Sequence, residues 1–495
     1  MNVKNRSLWS NVATTQVAEE LQPIHQTNDR NTVYHQSPQN SIAPTISRYN
    51  RKNIAANFDG GKLTSDAGAL FLPLADKKLR LTERIDNIVH DPRDPRYISH
   101  KQRELFTQRI YGIALGYEDG NDHQQLRKDP ALRTAIKNST DEELPLGSAP
   151  TLSRLENRIT KEEIAALSQL FVELFIESYK EPPKQSTIDV DATDDMIHGN
   201  QEGRHFNGFY DGYCFLPLYF FVGHQLLWTQ LRTSDKGGAH GTRAIFHYLT
   251  QRIKQAFPDC EIILRGDAGC YSPGLLNYCE RYGYKYILGI PSHAALEKLF
   301  SNIIFAAEMF FGSSGSQERF RLFWENAYRA RSWKTPRRII VKAERLPDGN
   351  KIVGKENTRY LVTNLEGTPQ ELYEKVYCAR GDMENRIKEV QLMLFSDRTS
   401  CHSFLANRVR LFFSCCAYVL METIRRTALH GTSMSTAQCS TIRSKLFKIA
   451  AVVKESVRRI AFSLPSSCPV QDLWLRVFDR LRLERLYEVL PLPSG

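Results

Sequence analysis

Acidic side chains stand in three places where a folding chain would not put them without cause. In Thr187-Ile-Asp-Val-Asp-Ala-Thr193 a short strand pattern carries Asp189 and Asp191 two residues apart, so both point to one face. Unpaired carboxylates buried on a strand are costly, and Asp194 and Asp195 follow directly. A divalent cation shared between such groups removes the cost, and hard oxygen ligands suit Mg²⁺ or Mn²⁺. The plainer alternative is an Asp-rich turn after a short strand. The second place is Asp267 in Ile263-Leu-Arg-Gly-Asp-Ala-Gly-Cys270, at the C-terminal end of an apolar run and between glycines that admit a close backbone or ligand. Strand ends of open sheets are where sites form.

The third place is Tyr377-Cys-Ala-Arg-Gly-Asp-Met-Glu-Asn-Arg-Ile-Lys-Glu-Val-Gln391. On a helix, Tyr377, Arg380, Glu384, Lys388 and Gln391 fall within roughly 80° of one another. Glu384 could then bind metal while Arg380 and Lys388 hold phosphate oxygens. The alternatives are an exposed helix with i, i+4 ion pairs, or a helix that begins at Gly381 with Asp382 as its N-cap.

The elements that would position these groups follow from periodicity. Strands are predicted at 187–192, 261–265 and 285–289, a hairpin at 214–221 and 225–231 around Gly223-His224, and helices at 239–256 and 273–282. Their order predicts a mixed sheet flanked by helices. Upstream, helices are predicted at 66–75 and 100–113. Another starts at Thr160, where Thr160 and Glu163 form a capping-box pair. Ser148-Ala-Pro-Thr-Leu-Ser-Arg154 reads as a turn feeding a helix, with Arg154 and Arg158 one turn apart. It is a candidate DNA-reading helix, though such a turn also joins two helices with no such role. From about 295 to 370 the pattern is strand-like, and from Leu372 onward mostly helical.

The resulting expectation is six regions. Residues 1–50 form an Asn-, Gln-, Ser- and Thr-rich mobile leader, and 51–180 a helical N-terminal region. A first part of the core spans 181–294, a strand-rich basic insertion 295–370, and a core completion with the Glu-bearing helix 371–430. A basic helical C-terminal region covers 431–495.

The chain has 495 residues, 41% hydrophobic and 24% charged, which excludes wholesale disorder. A net charge of +11 favours a polyanionic partner, nucleic acid before membrane. Residues 401–495 carry 14 Lys and Arg against 6 Asp and Glu. A second basic stripe runs from Arg329 through Arg331, Lys334, Arg337, Arg338 and Lys342, with Trp333 inside it as a candidate for stacking on a flipped base or, equally, for the core. Solvated faces are the plain reading of charge runs, but two basic regions around the acidic segment favour a phosphate track. Ten cysteines without a C-x-x-C pair predict buried free thiols in a reducing cytosol rather than a zinc ribbon. No apolar run reaches the roughly 20 residues of a membrane span, no signal pattern opens the chain, and neither a P-loop nor a G-x-G-x-x-G fingerprint is present.

The spacing Y-x2-R-x3-E-x6-K/Q resembles the signature of IS4-type insertion-sequence transposases, and more closely the chain resembles the IS1380 family. The stretches that carry this are Leu63-Thr-Ser-Asp-Ala-Gly68, Tyr111-Gly-Ile-Ala-Leu-Gly-Tyr-Glu-Asp119, Asp191-Ala-Thr-Asp-Asp195, His198-Gly-Asn-Gln-Glu-Gly203, Tyr377-Cys-Ala-Arg-Gly-Asp-Met-Glu-Asn385 and Asp397-Arg-Thr-Ser-Cys-His402. They span about residues 58–460. Gln391 departs from the pattern, which often has Lys there.

The resemblance implies an RNase H-like α/β core with helical terminal regions and a DDE site of Asp191, Asp267 and Glu384. Asp189 or Asp194 is the alternative for the first position, and two Mg²⁺ ions (or Mn²⁺) are the expected cofactors. Tyr377, Arg380, Lys388, Arg331, Trp333, Arg337 and Arg338 would contact DNA. The 117 positions between Asp267 and Glu384, against 76 between the aspartates, would contain the insertion. The implied activity is cleavage at the transposon end to a 3′-OH, followed by direct attack on target DNA. The implied partners are double-stranded terminal inverted repeats and target DNA, with a homodimer in the synaptic complex, no membrane, and a cytoplasmic, nucleoid-associated setting. The competing readings are a domesticated, non-catalytic DNA-binding protein and an RNase H-like nuclease that does not join strands.

Overall fold

The computed structural model describes residues 45–49, 52–140, 145–314, 318–348 and 354–482. The chain divides into two units, Met1–Asp59 and Gly60–Gly495. In the first, Thr45–Tyr49 pairs antiparallel with Lys52–Ala55; the rest of the expected leader lies outside the described residues.

The second unit is built on a nine-stranded sheet. Its main strands are β1 (Gln185–Ala192), β2 (Leu218–Val222), β3 (Gln225–Gln230), β4 (Glu261–Gly266), β5 (Lys285–Ile290), β6 (Phe320–Tyr328), β7 (Arg337–Leu346) and β8 (Arg359–Thr363). The order is β6-β7-β8-β5-β4-β1-β2-β3, with Lys355–Glu356 pairing off β7. β1, β4 and β5 run parallel, and β2 and β3 return antiparallel. The first five strands thus lie in the order 3-2-1-4-5 of an RNase H-like sheet, and β8, β7 and β6 extend it antiparallel from β5. The expected α/β class and mixed, helix-flanked sheet are those of the structure.

Alternation along β1 decides what each face carries. Ile188 and Val190 enter one apolar core with Phe246, Leu249 and Ile253 of helix α1 (Thr242–Ala256) and Leu275 and Leu276 of helix α2 (Pro273–Arg281). Asp189 and Asp191 therefore project to the opposite face. That face meets helix α3 (Gly381–Lys388), whose Met383 and Ile387 share a second core with Tyr219 and Phe221 of β2. Helix α4 (Phe404–Thr427) runs through this second core and packs on the N-terminal helices. Its 24 residues are long and apolar enough to cross a membrane by length and composition, but it is mostly buried within the protein.

The Thr160 capping box forms as expected: Thr160 Oγ1 accepts from the Glu163 N–H, and the Glu163 carboxylate from the Thr160 N–H at 2.8 Å. Several elements differ from expectation. Ala294–Leu299 and Ser301–Ser314 are helices, not strands. The stretch 214–221 is broken at Pro217 into Gly212–Phe215 and β2, since proline cannot donate to the ladder. Within the helical C-terminal region, Ala451–Ser456 and Arg459–Ser463 form a hairpin completed by Leu63–Thr64. All ten cysteines are free thiols, and seven are buried.

Candidate active site

The register of β1 with β4 builds the site. Asp189 lies opposite Arg265, and Val190 opposite Gly266, so Asp191 and Asp267 follow one step further at the C-terminal ends of two adjacent parallel strands. Oxygens of Asp191 and Asp267 and the sulfur of Cys270 lie within 4.8 Å of one another. The Cys270 N–H donates to Asp267 Oδ1 at 3.1 Å, and the Ala192 N–H to Asp191 Oδ1 at 2.9 Å. Arg380 closes the cluster: its Nη1 donates to Asp191 Oδ2 at 2.9 Å and its Nη2 contacts Glu384 Oε1 at 2.6 Å. The structure therefore brings Asp191 and Asp267 together directly and joins Glu384 to them through one guanidinium.

Burial, then the neighbouring charge of Asp267, pushes the Asp191 carboxyl up to about 7, although Arg380 opposes the shift. Two carboxylates facing one another with a single guanidinium between Asp191 and Glu384 lack positive charge, which a divalent cation would supply. The donor set fits a hard ion. Burial raises the Cys270 thiol well above its usual range, and the carboxylate oxygens of Asp191 and Asp267 beside it are the hard donors that would hold such an ion.

This charge deficit predicts a pH response. Without cation, Asp191 keeps its proton up to about pH 7 in the fold but loses it near 3.8 when unfolded. The folded state then binds more protons across that window, and stability falls as pH rises through it. The urea midpoint of cation-free protein should drop between about pH 5 and about pH 7.5, Mg²⁺ should reverse the drop, and Asp191→Asn should abolish both effects. An unchanged response in Asp191→Asn would contradict this placement.

The neighbouring acids have other partners. Asp189 is buried in a two-bond ion pair with Arg265, whose Nη2 lies 2.8 Å from Asp189 Oδ2. Asp195 is buried, and its Oδ1 accepts from the Gln391 carboxamide at 2.8 Å; the same group reaches the Asp194 carbonyl at 3.1 Å. Gln391, placed on the phosphate-facing stripe by the helical wheel, thus supports the loop after β1. Helix α3 does not open freely at Gly381 but continues helical turns that begin at Pro369, with Thr368 as their N-cap. Wide π-helical turns at Leu372–Tyr377 and Glu389–Met393 interrupt its regular period.

Tyr377 packs where β5 passes the site. A methyl group on Gly289 would lie 3.1 Å from the Tyr377 hydroxyl and 2.7 Å from the Ala268 nitrogen. Gly289→Ala must displace the Asp267 backbone. We expect a stability loss of ~1–3 kcal/mol, read from the urea midpoint, with slower cleavage; a variant of native stability and rate would show that the Asp267 loop has slack.

The expected DNA contacts are placed unevenly. Arg380 faces the carboxylates. Lys388 and Arg331 are exposed. Trp333 is 3% exposed, with its indole N–H on the Tyr271 hydroxyl at 3.0 Å, which is the core reading and not the stacking one. Arg337 is buried and paired with Glu280, and Arg338 pairs with Glu325 and the Leu365 carbonyl. These arginines fall short as a phosphate track because glutamates distant in sequence neutralise them. Arg410, Arg425, Arg443 and Arg480 of the C-terminal surplus likewise hold carboxylates or main-chain carbonyls.

Other stretches of the family pattern are structural. Asp66 is buried against Lys448 and the Tyr117 hydroxyl, and Arg398 pairs with Glu118 and Asp119. Sequence reasoning missed Arg265, whose partner becomes visible only once the strand register is known, and the aromatic hairpin after β1.

An RNase H-like sheet with carboxylates at the ends of adjacent parallel strands defines a candidate phosphoryl-transfer site. The family described as "Transposase DDE domain group 1" matches residues 46–486. The chain belongs to that family and is a DDE transposase by membership. No curated protein matches it. Among solved structures it is similar to the cryo-EM structure of the piggyBac transposase synaptic complex with hairpin DNA, with a TM-score of 0.40 and 9% identity, covering 77% of this chain and 79% of that one.

Proposed function

We propose that this chain binds the ends of an insertion sequence of the IS1380 type as a homodimer and cleaves and rejoins DNA there, using Asp191, Asp267 and Glu384. The observation that carries this reading is the convergence of Asp191 and Asp267, with Glu384 tied to them by Arg380. Two Mg²⁺ ions, or Mn²⁺, held by these carboxylates would activate the attacking hydroxyl and stabilise the leaving oxygen.

The chain's own residues do the rest. Asp267 is fixed by the Cys270 N–H and Asp191 by the Ala192 N–H, so both acids are positioned before substrate arrives. Arg380 holds Asp191 and Glu384 together, and once both acids have another counter-charge it is free to bind a non-bridging phosphate oxygen. Tyr377, beside it, orients the same phosphate, and exposed Lys388 and Arg331 follow the flanking strand. The exposed Arg154 of the helix Ala149–Arg158 is proposed to grip the end sequence, in the cytoplasm at the nucleoid.

The test is incubation of the full chain, with and without Mg²⁺, on DNA that includes the sequences flanking its gene. Mg²⁺-dependent nicks with 3′-OH ends that join to a second duplex support the reading. Binding without nicking would support a non-catalytic DNA-binding protein, and cutting of generic DNA without joining a nuclease.

A further inference from the structure

Between β1 and β2 the chain leaves the main sheet and forms a three-stranded antiparallel one from Asp195–Met196, His205–Asn207 and Gly212–Phe215, with the last in the centre. Phe206 pairs directly with Tyr213, so their rings share a face, edge to face with centroids 5.6 Å apart. The Arg204 guanidinium lies 4.9 Å over the Tyr213 ring. At the tip, Phe209 packs edge-on against Tyr210 at 4.9 Å. Phe206, Phe209 and Tyr213 are nevertheless 55%, 87% and 46% exposed.

The tip is well tied down. Asn207 Oδ1 accepts from the Phe209 and Tyr210 N–H groups at 3.0 and 3.4 Å. The Asn207 carboxamide donates to the Ser234 carbonyl at 3.1 Å, and Ser234 Oγ to the His205 carbonyl at 2.9 Å. The fold therefore holds three aromatic side chains at the surface, with about half or more of the area of each in water, and clustered exposed apolar rings mark a binding surface.

Its position names the ligand. Asp195–Met196, the strand paired with Gly212–Phe215, begins four residues after Asp191. The Gln391 carboxamide, seven residues on from Glu384, donates to Asp195 Oδ1 at 2.8 Å and to the Asp194 carbonyl at 3.1 Å, so the small sheet starts beside the carboxylate site. Flat rings with a guanidinium beside them suit planar bases joined by phosphates. We propose that the 205–215 hairpin is a stacking platform for unpaired bases of the DNA strand held at the carboxylate site. Phe209 and the Phe206–Tyr213 pair receive base faces, and Arg204 receives a flanking phosphate. This rests on the reading of the site as one that acts on DNA.

The test compares the full chain with its Phe206→Ala/Phe209→Ala variant by fluorescence anisotropy, without divalent cation. One probe is a blunt mixed-sequence duplex, and the other is the same duplex with a short single-stranded tail containing 2-aminopurine. Stacking one base is worth roughly 5- to 100-fold in affinity. The variant should lose about 10-fold or more on the tailed probe and no more than about twofold on the blunt one. The wild-type chain should quench the 2-aminopurine, and the variant should not. Phe209→Trp should bind the tail as wild type does, and an unchanged melting temperature for Phe209→Ala excludes misfolding. Equal tail binding by variant and wild type overturns the platform, as does equal loss on both probes. A change of oligomeric state with tail binding intact would make the patch a contact between copies instead. If wild type binds blunt duplex while the variant loses nothing on either probe, the platform alone falls. If wild type binds neither probe, the DNA reading falls and takes the platform with it.

Discussion

Replacing Asp267 with Asn should lower Mg²⁺-dependent strand cleavage by about 10³-fold or more while leaving end binding within a few-fold of wild type. Asp267 closes one side of the carboxylate pair, and its oxygen lies within 4.8 Å of Asp191. The amide is nearly the same size, so the backbone held by the Cys270 N–H should stay in place. What is lost is a negative oxygen on a hard cation. Asp191→Asn should behave alike, because a single carboxylate cannot replace a facing pair. Quantified nicking beside gel-shift binding separates the two effects. Cleavage reduced only a few-fold by Asp267→Asn would remove this residue from the site.

The second large effect concerns stability. Arg265→Leu strands Asp189, whose carboxyl burial already pushes up and which Arg265 holds down. Breaking a buried pair on one side costs about 3–5 kcal/mol, which urea unfolding would register as a large fall in midpoint. The loss should spread to activity, because Asp191 and Asp267, the proposed catalytic pair, lie two residues beyond this pair along β1 and β4. Adding Asp189→Leu to Arg265→Leu should recover most of the loss, since two apolar side chains leave no orphaned charge. A double variant as unstable as the single would mean that the strands depend on the arginine itself, including its bond to the Val376 carbonyl.

These two pairs show what the sequence reveals and what it withholds. Asp191 and Asp267 were legible because carboxylates in apolar strands conflict with burial, and that conflict is visible in a linear string. Asp189 and Arg265 are likewise 76 positions apart, but their pairing depends on strand register, which no local pattern states. The strand-helix order of 181–294 followed from period and punctuation. The helices Ala294–Leu299 and Ser301–Ser314 were read as strands because Ile303, Ile304, Phe305, Phe310 and Phe311 are residue types that also favour sheets. The hairpin Ala451–Ser456 and Arg459–Ser463 was missed because its third strand, Leu63–Thr64, comes from the far end of the chain. Arg337 and Arg338 looked like a free basic stripe because Glu280 and Glu325 lie elsewhere in the sequence. The exposed rings at 206, 209 and 213 carried a signal, aromatics around Asn-Gly and Asp-Gly turns, that was not used.

The central claim is that these acids hold divalent cations jointly, and anomalous diffraction at the manganese edge from crystals grown with Mn²⁺ tests it most directly. The account predicts manganese between Asp191 and Asp267, with carboxylate oxygens at about 2.0–2.3 Å and Glu384 drawn from Arg380 onto the ions. Manganese bound elsewhere, or a saturated crystal in which Arg380 still bridges Asp191 and Glu384 with no ion beside them, would contradict it.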